Sequence, residues 1–276
     1  AMVVMLGLLK VGARCTGRTV RDGWRTVRRG ARLRQAPRGR ASTRGAMSET
    51  PRPMDRLTEP TDRHTLPDGI GLVFADDTLL VVDKPPGMLS VPGRGDGVTD
   101  NLVTRVSAVF ADALVVHRLD QATSGLMLFA RGLPMQRALS LLFEKRRVHK
   151  RYEAVVAGVP AGSEGEVDMP MRLDWPQRPR QVTDVFAGKP ALTRWRALGP
   201  VPRDDGAATR MALYPLTGRS HQLRVHMAFI GHPILGDDLY APPVPRSPRL
   251  LLHAAELALV HPLHGRECRF ASATPF

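Results

Sequence analysis

The chain has 276 residues, 43% of them hydrophobic, so it can form one large domain or two small ones around a real core. No uninterrupted apolar run reaches the roughly 18 residues of a membrane span, and two cysteines, Cys15 and Cys268, exclude a disulfide framework and a cysteine-based zinc site. The net charge of +14 is concentrated: residues 1–48 hold twelve basic residues and one acid, whereas the other 228 residues hold 28 basic and 25 acidic ones, net +3. A phosphate-binding surface in the folded part must therefore come from local clustering.

Residues 1–48 are rich in Arg, Gly and Ala without a sustained apolar face. Three readings stand: an organellar transit peptide, a disordered basic arm that adds RNA affinity, or a stretch upstream of a start at Met47. All three leave the segment outside the fold. Residues 49–68, with four prolines, read as a linker. The folded part is expected over 69–276. Ile70–Ala75 and Thr78–Asp83 read as strands joined at Asp76-Asp77. A Gly-rich loop at 90–97 follows, and then a short helix carrying Leu102, Val103 and Val106, capped by Thr99 or Asp100.

Residues 115–126 run Val-Val-His-Arg-Leu-Asp-Gln-Ala-Thr-Ser-Gly-Leu and enter the apolar Leu126–Phe129 stretch. This is a loop with polar groups between two buried strands, a place where a scaffold can aim Arg118 and Asp120 at a ligand. Asp120 is either a catalytic carboxylate or a turn residue bonding its own backbone; the loop alone leaves both open. Pro134 suits the first turn of a helix with Leu139, Leu142 and Phe143 on its apolar face, ending at Lys145-Arg146-Arg147. Lys150–Val156 reads as a strand, 160–190 as loops and short strands, and Thr193–Leu198 and Arg210–Leu216 as further strands. A helix after Gly218-Arg219-Ser220 has Ser220 as its expected cap, with Leu223, Met227 and Ile230 on one face and Gly231 as its stop. Leu250–Val260 and Arg266–Phe270 close the chain as strands. Strands outnumber helices without alternating with them, which predicts an α+β fold: a mixed, largely antiparallel sheet with flanking helices.

Three common chemistries fit poorly. His221 and His226 are five apart, not on one helical face as a zinc pair would be. Gly93–Gly97 lacks the Lys-Ser/Thr ending of a nucleotide loop. Ser124 sits on a Thr-Ser-Gly turn rather than a nucleophile elbow. What remains is an aspartate on a strand-flanked loop, a tyrosine on a strand and an arginine at a helix start. An arginine beside an aspartate favours its charged form, and a tyrosine offers a ring for stacking and a phenol for hydrogen bonding.

Together these stretches resemble the RluA family of pseudouridine synthases. The resemblance rests on His117-Arg-Leu-Asp120 with Thr123-Ser-Gly-Leu126, and on Phe143-x-x-Arg146-x-Val148-x-Lys150-x-Tyr152. It extends to Gly218–His226 followed by Gly231–Asp237, and to Arg249–Ala254 and Asp83–Gly87, all in the family's order. Asp174–Gln181 and Ser90–Arg94 resemble the family's namesake, and residues 1–69 show no S4 RNA-binding pattern.

The resemblance implies a pseudouridine synthase catalytic domain that isomerises uridine in structured RNA, without cofactor or metal. The expected substrates are 23S rRNA and, following the namesake, a tRNA anticodon loop. Asp120 would be the catalytic carboxylate, as nucleophile or base. Arg219 would pair with it, and Tyr152 would stack on the uracil and assist proton removal. Arg118 would fill the space left by the flipped nucleotide, and Leu251 would wall the pocket. Lys145, Arg146, Arg147, Lys150 and Arg151 would contact phosphates. A cytoplasmic monomer with no membrane partner is expected, or a mitochondrial protein if residues 1–46 are a transit peptide. Two rivals are a non-catalytic RNA binder and a hydrolase using Asp120; no second carboxylate lies near Asp120 in sequence to serve the latter.

Overall fold

The structure, a computed structural model, describes residues 66–67, 69–93, 100–241 and 247–276. The basic extension at 1–48, nearly all of the linker at 49–68 and most of the Gly93–Gly97 run lie outside the described residues.

Strands β1 (Gly71–Ala75) and β2 (Leu79–Lys84) form the expected hairpin. Asp76 closes it, its carboxylate accepting from the backbone N–H groups of Thr78 at 2.7 Å and Leu79 at 2.8 Å. Helix α1 (Leu102–Val109) is capped by Asn101, whose side chain accepts from the Thr104 amide, rather than by Thr99 or Asp100. An asparagine placed directly before the first apolar position reaches that amide. Then come β3 (Ala113–Val115), β4 (Ser124–Arg131) and α2 (Leu133–Glu144). They are followed by β5 (His149–Ala157), β6 (Glu164–Asp168), β7 (Met171–Leu173) and β8 (Gln181–Thr183). The last elements are β9 (Leu192–Val201), β10 (Ala208–Pro215), α3 (Gln222–Phe229), β11 (Leu252–Val260) and β12 (Glu267–Ala271).

The main sheet runs β1-β2-β4-β11-β5-β10-β9-β6, with β12 on β11 and β3 on β4; β7 and β8 form a separate hairpin. The fold is thus the mixed, mostly antiparallel sheet with few helices that the strand pattern predicts. Residues 79–82 of β2 and 126–130 of β4 are apolar at every position because both of their faces are covered. Leu79, Val81, Leu126 and Leu128 pack with Met135 and Leu139 of α2. Leu80, Val82, Met127 and Phe129 pack with Leu102 and Val106 of α1. Leu66 joins the second cluster at 1% exposure, so the core reaches back into the segment read as linker.

The parallel contact, β4 with β11, is confined to Ser124–Gly125 and His253–Ala254. There a Cβ on Gly125 would stand 2.5 Å from the Ala254 backbone nitrogen, and Gly125 has φ +113, so only glycine fits. Beyond this contact β4 turns to β3 and β11 turns to β12, and the sheet forks. Inside the fork the Leu128 N–H donates to His117 Nε2 at 2.9 Å, so an imidazole takes the place of a neighbouring strand.

Candidate active site

The fork carries the loop that leads to Asp120. Burial, with the Lys150 charge adding to it, pulls the His117 pKa down to about 3, so the ring is a neutral acceptor. It also stacks on Phe143 of α2, centroids 4.5 Å apart. Past His117 the loop is braced from residues 84–90. Ser90 Oγ donates to the Leu119 carbonyl at 2.7 Å and accepts from the Leu119 amide at 3.1 Å. The Gly87 amide donates to the Gln121 carbonyl, and the Gln121 side chain donates back to the Gly87 carbonyl. Lys84, fully buried, donates to the carbonyls of Pro85, Met88 and Gln121 at 2.9, 2.8 and 3.0 Å. Its burial lowers its pKa to about 8, with the Asp120 charge opposing the shift. Asp120 is therefore held on both sides.

Asp120 opens into a cavity of about 1280 Å³ lined also by His117, Arg118, Tyr152, His221 and Arg224. Its turn closes through the backbone, Thr123 N–H to the Asp120 carbonyl, and leaves the carboxylate to the cavity. Arg224 Nη1 stands 3.9 Å from Asp120 Oδ2 and His221 Nε2 stands 4.0 Å from Oδ1. The arginine facing Asp120 is thus Arg224, in place of Arg219. Arg219 precedes α3; its amide donates to Gln222 Oε1 and its Nε to the Pro190 carbonyl, which leaves it on the cavity wall away from the carboxylate. Arg224 lies inside the helix, where Asp237 grips it twice, at 2.7 Å from Nε and 2.7 Å from Nη2. Both side chains are buried, at 4% and 0% exposure.

His221 sits at the start of α3 with φ 55, a left-handed conformation for a non-glycine residue, and gives no side-chain cap. The expected Ser220 cap is absent: His221, not Ser220, holds the N-cap position of α3. Tyr240 Oη accepts from the Gln181 amide at 2.7 Å and lies 2.7 Å from His221 Nδ1. The phenol thus engages Nδ1 and leaves Nε2 facing Asp120. Burial lowers the His221 pKa while the Asp120 charge acts the other way.

Tyr152 lies on β5 between Leu213 and Ala254 and lines the cavity. Burial, and then the Asp120 charge, push its phenol above the usual tyrosine value. The neutral phenol is thus favoured, with the ring on the cavity wall. Arg118 is exposed on the cavity wall, with no carboxylate partner among the described residues. Leu251 is turned away, packed with Val155, Ala208 and Leu235; its neighbour Leu252 is the cavity wall, as strand alternation requires.

The basic cluster divides as well. Arg146 and Lys150 line the cavity, whereas Lys145 and Arg147 do not. Arg151 lines it too, but is held by Glu153 at 2.7 Å and Glu256 at 2.6 Å. His226 is apart from His221, buried against Thr193 Oγ1 and the Met169 carbonyl. Ser124 Oγ accepts from Arg249 and contacts His253 Nδ1 at 2.9 Å, bracing the β4–β11 contact.

The chain is similar to known proteins. Residues 78–229 match the family described as RNA pseudouridylate synthase. The chain is 48% identical over 195 residues to the dual-specificity RNA pseudouridine synthase RluA of Vibrio cholerae, covering 70% of this chain and 78% of that protein. It is 45% identical over 207 residues to the Escherichia coli protein of the same name, covering 74% of this chain and 93% of that one. Among solved structures, human RNA pseudouridylate synthase domain containing 1 superposes with a TM-score of 0.65 at 27% identity, over 79% of this chain and 87% of that one.

Proposed function

The chain belongs to the RNA pseudouridylate synthase family, and we propose that it isomerises uridines in ribosomal and transfer RNA, with Asp120 as its catalytic carboxylate. The observation that carries this reading is the carboxylate itself: braced from residues 84–90, faced by Arg224 and His221, and open to a cavity with Tyr152 on its wall. A hydrolase reading finds three other carboxylates on the cavity, Glu144, Glu256 and Glu267; Glu256 is tied to Arg151 and Glu267 lies 3.5 Å from Arg269, which leaves it only the exposed Glu144 among the described residues. A pure RNA binder has no use for an anion that repels the backbone.

In this reading the target nucleotide leaves its stack, at a cost of a few kcal/mol, and Tyr152 receives the uracil, a stacking worth roughly 1–3 kcal/mol. Asp120 acts at the ribose as the N1–C1′ bond breaks. The base turns in the cavity, C5 bonds to C1′, C5 gives up its proton and N1 gains one, so that the product is an isomer of uridine and the C5 hydrogen is released to solvent. Apolar walls such as Leu252 and Leu223 let the base turn without a fixed polar lock. Arg118 occupies the space the nucleotide vacated, while Arg146, Lys150 and Arg219 meet phosphates at the rim.

Substrate breadth comes from the similarity to proteins named dual-specificity. The expected substrates are 23S rRNA and a tRNA anticodon loop, and the expected setting is a cytosolic monomer with its catalytic domain over 69–276 and Leu66 in the core. The test is tritium release from C5-labelled uridine in transcribed 23S rRNA and tRNA. Wild-type protein is expected to release label from both and Asp120→Asn from neither while still binding RNA. Release at the normal rate by Asp120→Asn would overturn the assignment.

A further inference from the structure

The stretch Asp174–Gln181 forms the tip of the β7–β8 hairpin, and no step above uses it. The base of the hairpin is fixed: Met171, 2% exposed, packs with Ala191, with Val225 of α3 and with Tyr240. The tip is tied by its own backbone, Asp174 N–H to the Arg180 carbonyl and Arg180 N–H to the Gln177 carbonyl. On this rigid arm Trp175 is 63% exposed, with the Arg178 guanidinium 4.9 Å from its ring centre. Arg180 lies 5.5 Å from the ring centre of Tyr240, and Arg224 lies 5.2 Å from the centre of the same ring. The hairpin is thus joined to Asp120 through Tyr240, by His221 on one path and Arg224 on the other.

Charge decides what such an arm meets. Arg172 is spent on Asp184 at 2.6 Å, whereas Arg178 and Arg180 have no carboxylate partner among the described residues. A wide aromatic plate with two uncompensated guanidiniums suits a nucleobase and a phosphate, in that order. An apolar protein partner would leave both charges buried without counterions, which is costly.

We propose that the β7–β8 hairpin is an RNA-contact arm: Trp175, backed by Arg178, stacks on an unpaired base flanking the target uridine, and Arg180 takes the adjoining phosphate. This rests on the proposed function and assigns to the same site the recognition of a neighbouring nucleotide. It gives the enzyme a sequence or loop requirement outside the uridine pocket.

The test uses the full chain and an anticodon stem-loop RNA, with pseudouridine formation as the readout. Trp175→Ala should lower kcat/KM by about tenfold or more, the loss falling on KM, and Trp175→Phe should recover most of it. Arg180→Ala should weaken binding and reduce the slope of log K against log salt by about one. Making each flanking nucleotide abasic in turn should find one position whose loss matches that of Trp175→Ala and does not add to it. Kinetics within about twofold of wild type for both alanine variants, against the tenfold or larger loss that stacking implies, would overturn the inference and leave the plate to a protein partner. So would losses that add at every abasic position. A wild-type protein that forms no pseudouridine would instead overturn the proposed function, and this inference with it.

Discussion

Replacing Arg224 with Met should separate what this arginine does for the fold from what it does for the site. Arg224 and Asp237 are bonded twice at 2.7 Å with 4% and 0% of their side chains exposed. Removing the arginine strands a carboxylate in the interior, which costs about 3–5 kcal/mol. Adding Asp237→Asn removes that charge. The Asn carbonyl still accepts from the Leu239 and Tyr240 amides, at 3.0 and 3.1 Å in the parent. The double variant should therefore return to within about 2 kcal/mol of the parent. Activity should not return. At 3.9 Å from Asp120, unit charges attract by about 4 kcal/mol at an effective dielectric near 20. Asp120 is 26% exposed, so this is an upper bound, and a rate loss of about 10²–10³ is expected in both variants. Urea denaturation gives the first quantity and single-turnover tritium release the second. A double variant that is both stable and near the parent rate would refute the claim that Arg224 serves Asp120. A single variant with the parent urea midpoint would refute the buried pair.

The strands and the three helices are legible because each depends on a local pattern, a period, a turn or an apolar flank, whereas Arg118, Asp120 and Tyr152 stand out only through several motifs taken together. What was not legible depends on where backbone direction is set by contacts distant in sequence. Arg219 and Arg224 lie in the same quoted motif, and sequence spacing does not say which one α3 turns toward Asp120. The signal that could have chosen is Asp237 in the adjoining motif, since a carboxylate bidentate to one arginine fixes its direction. Leu251 and Leu252 differ by one residue, and one residue changes the face of a strand. Lys84 reads as the end of a strand, yet its ammonium collects the carbonyls of Pro85, Met88 and Gln121, the last next to Asp120. No periodicity announces a lysine used as a staple.

Three further outcomes are expected. Gly125→Ala should destabilise the protein by more than about 2 kcal/mol in urea denaturation, because its Cβ would stand 2.5 Å from the Ala254 backbone; a neutral result would refute the close β4–β11 approach. Lys84→Met should cut the single-turnover rate by about tenfold or more while Tyr152 and Arg224 remain in place, since its brace on the Gln121 carbonyl is lost; an unchanged rate would show that Ser90 and Gly87 hold the loop without it. The last concerns His117, whose pKa is lowered by burial to about 3 from an ordinary 6.5. Between those values the unfolded chain binds the proton and the folded one does not. Stability from this group is therefore fully present above pH 6.5 and is lost as pH falls toward 3, by up to about 1.4 kcal/mol per pH unit. His117→Gln should be less stable at neutral pH, because the Leu128 amide loses a well-placed acceptor at a cost of about 1–3 kcal/mol. It should also lose less on acidification, because the proton uptake has gone. Urea midpoints at neutral pH and near pH 4.5 measure both. A parallel pH dependence in parent and variant would mean that His117 is not the neutral acceptor holding the fork of the sheet.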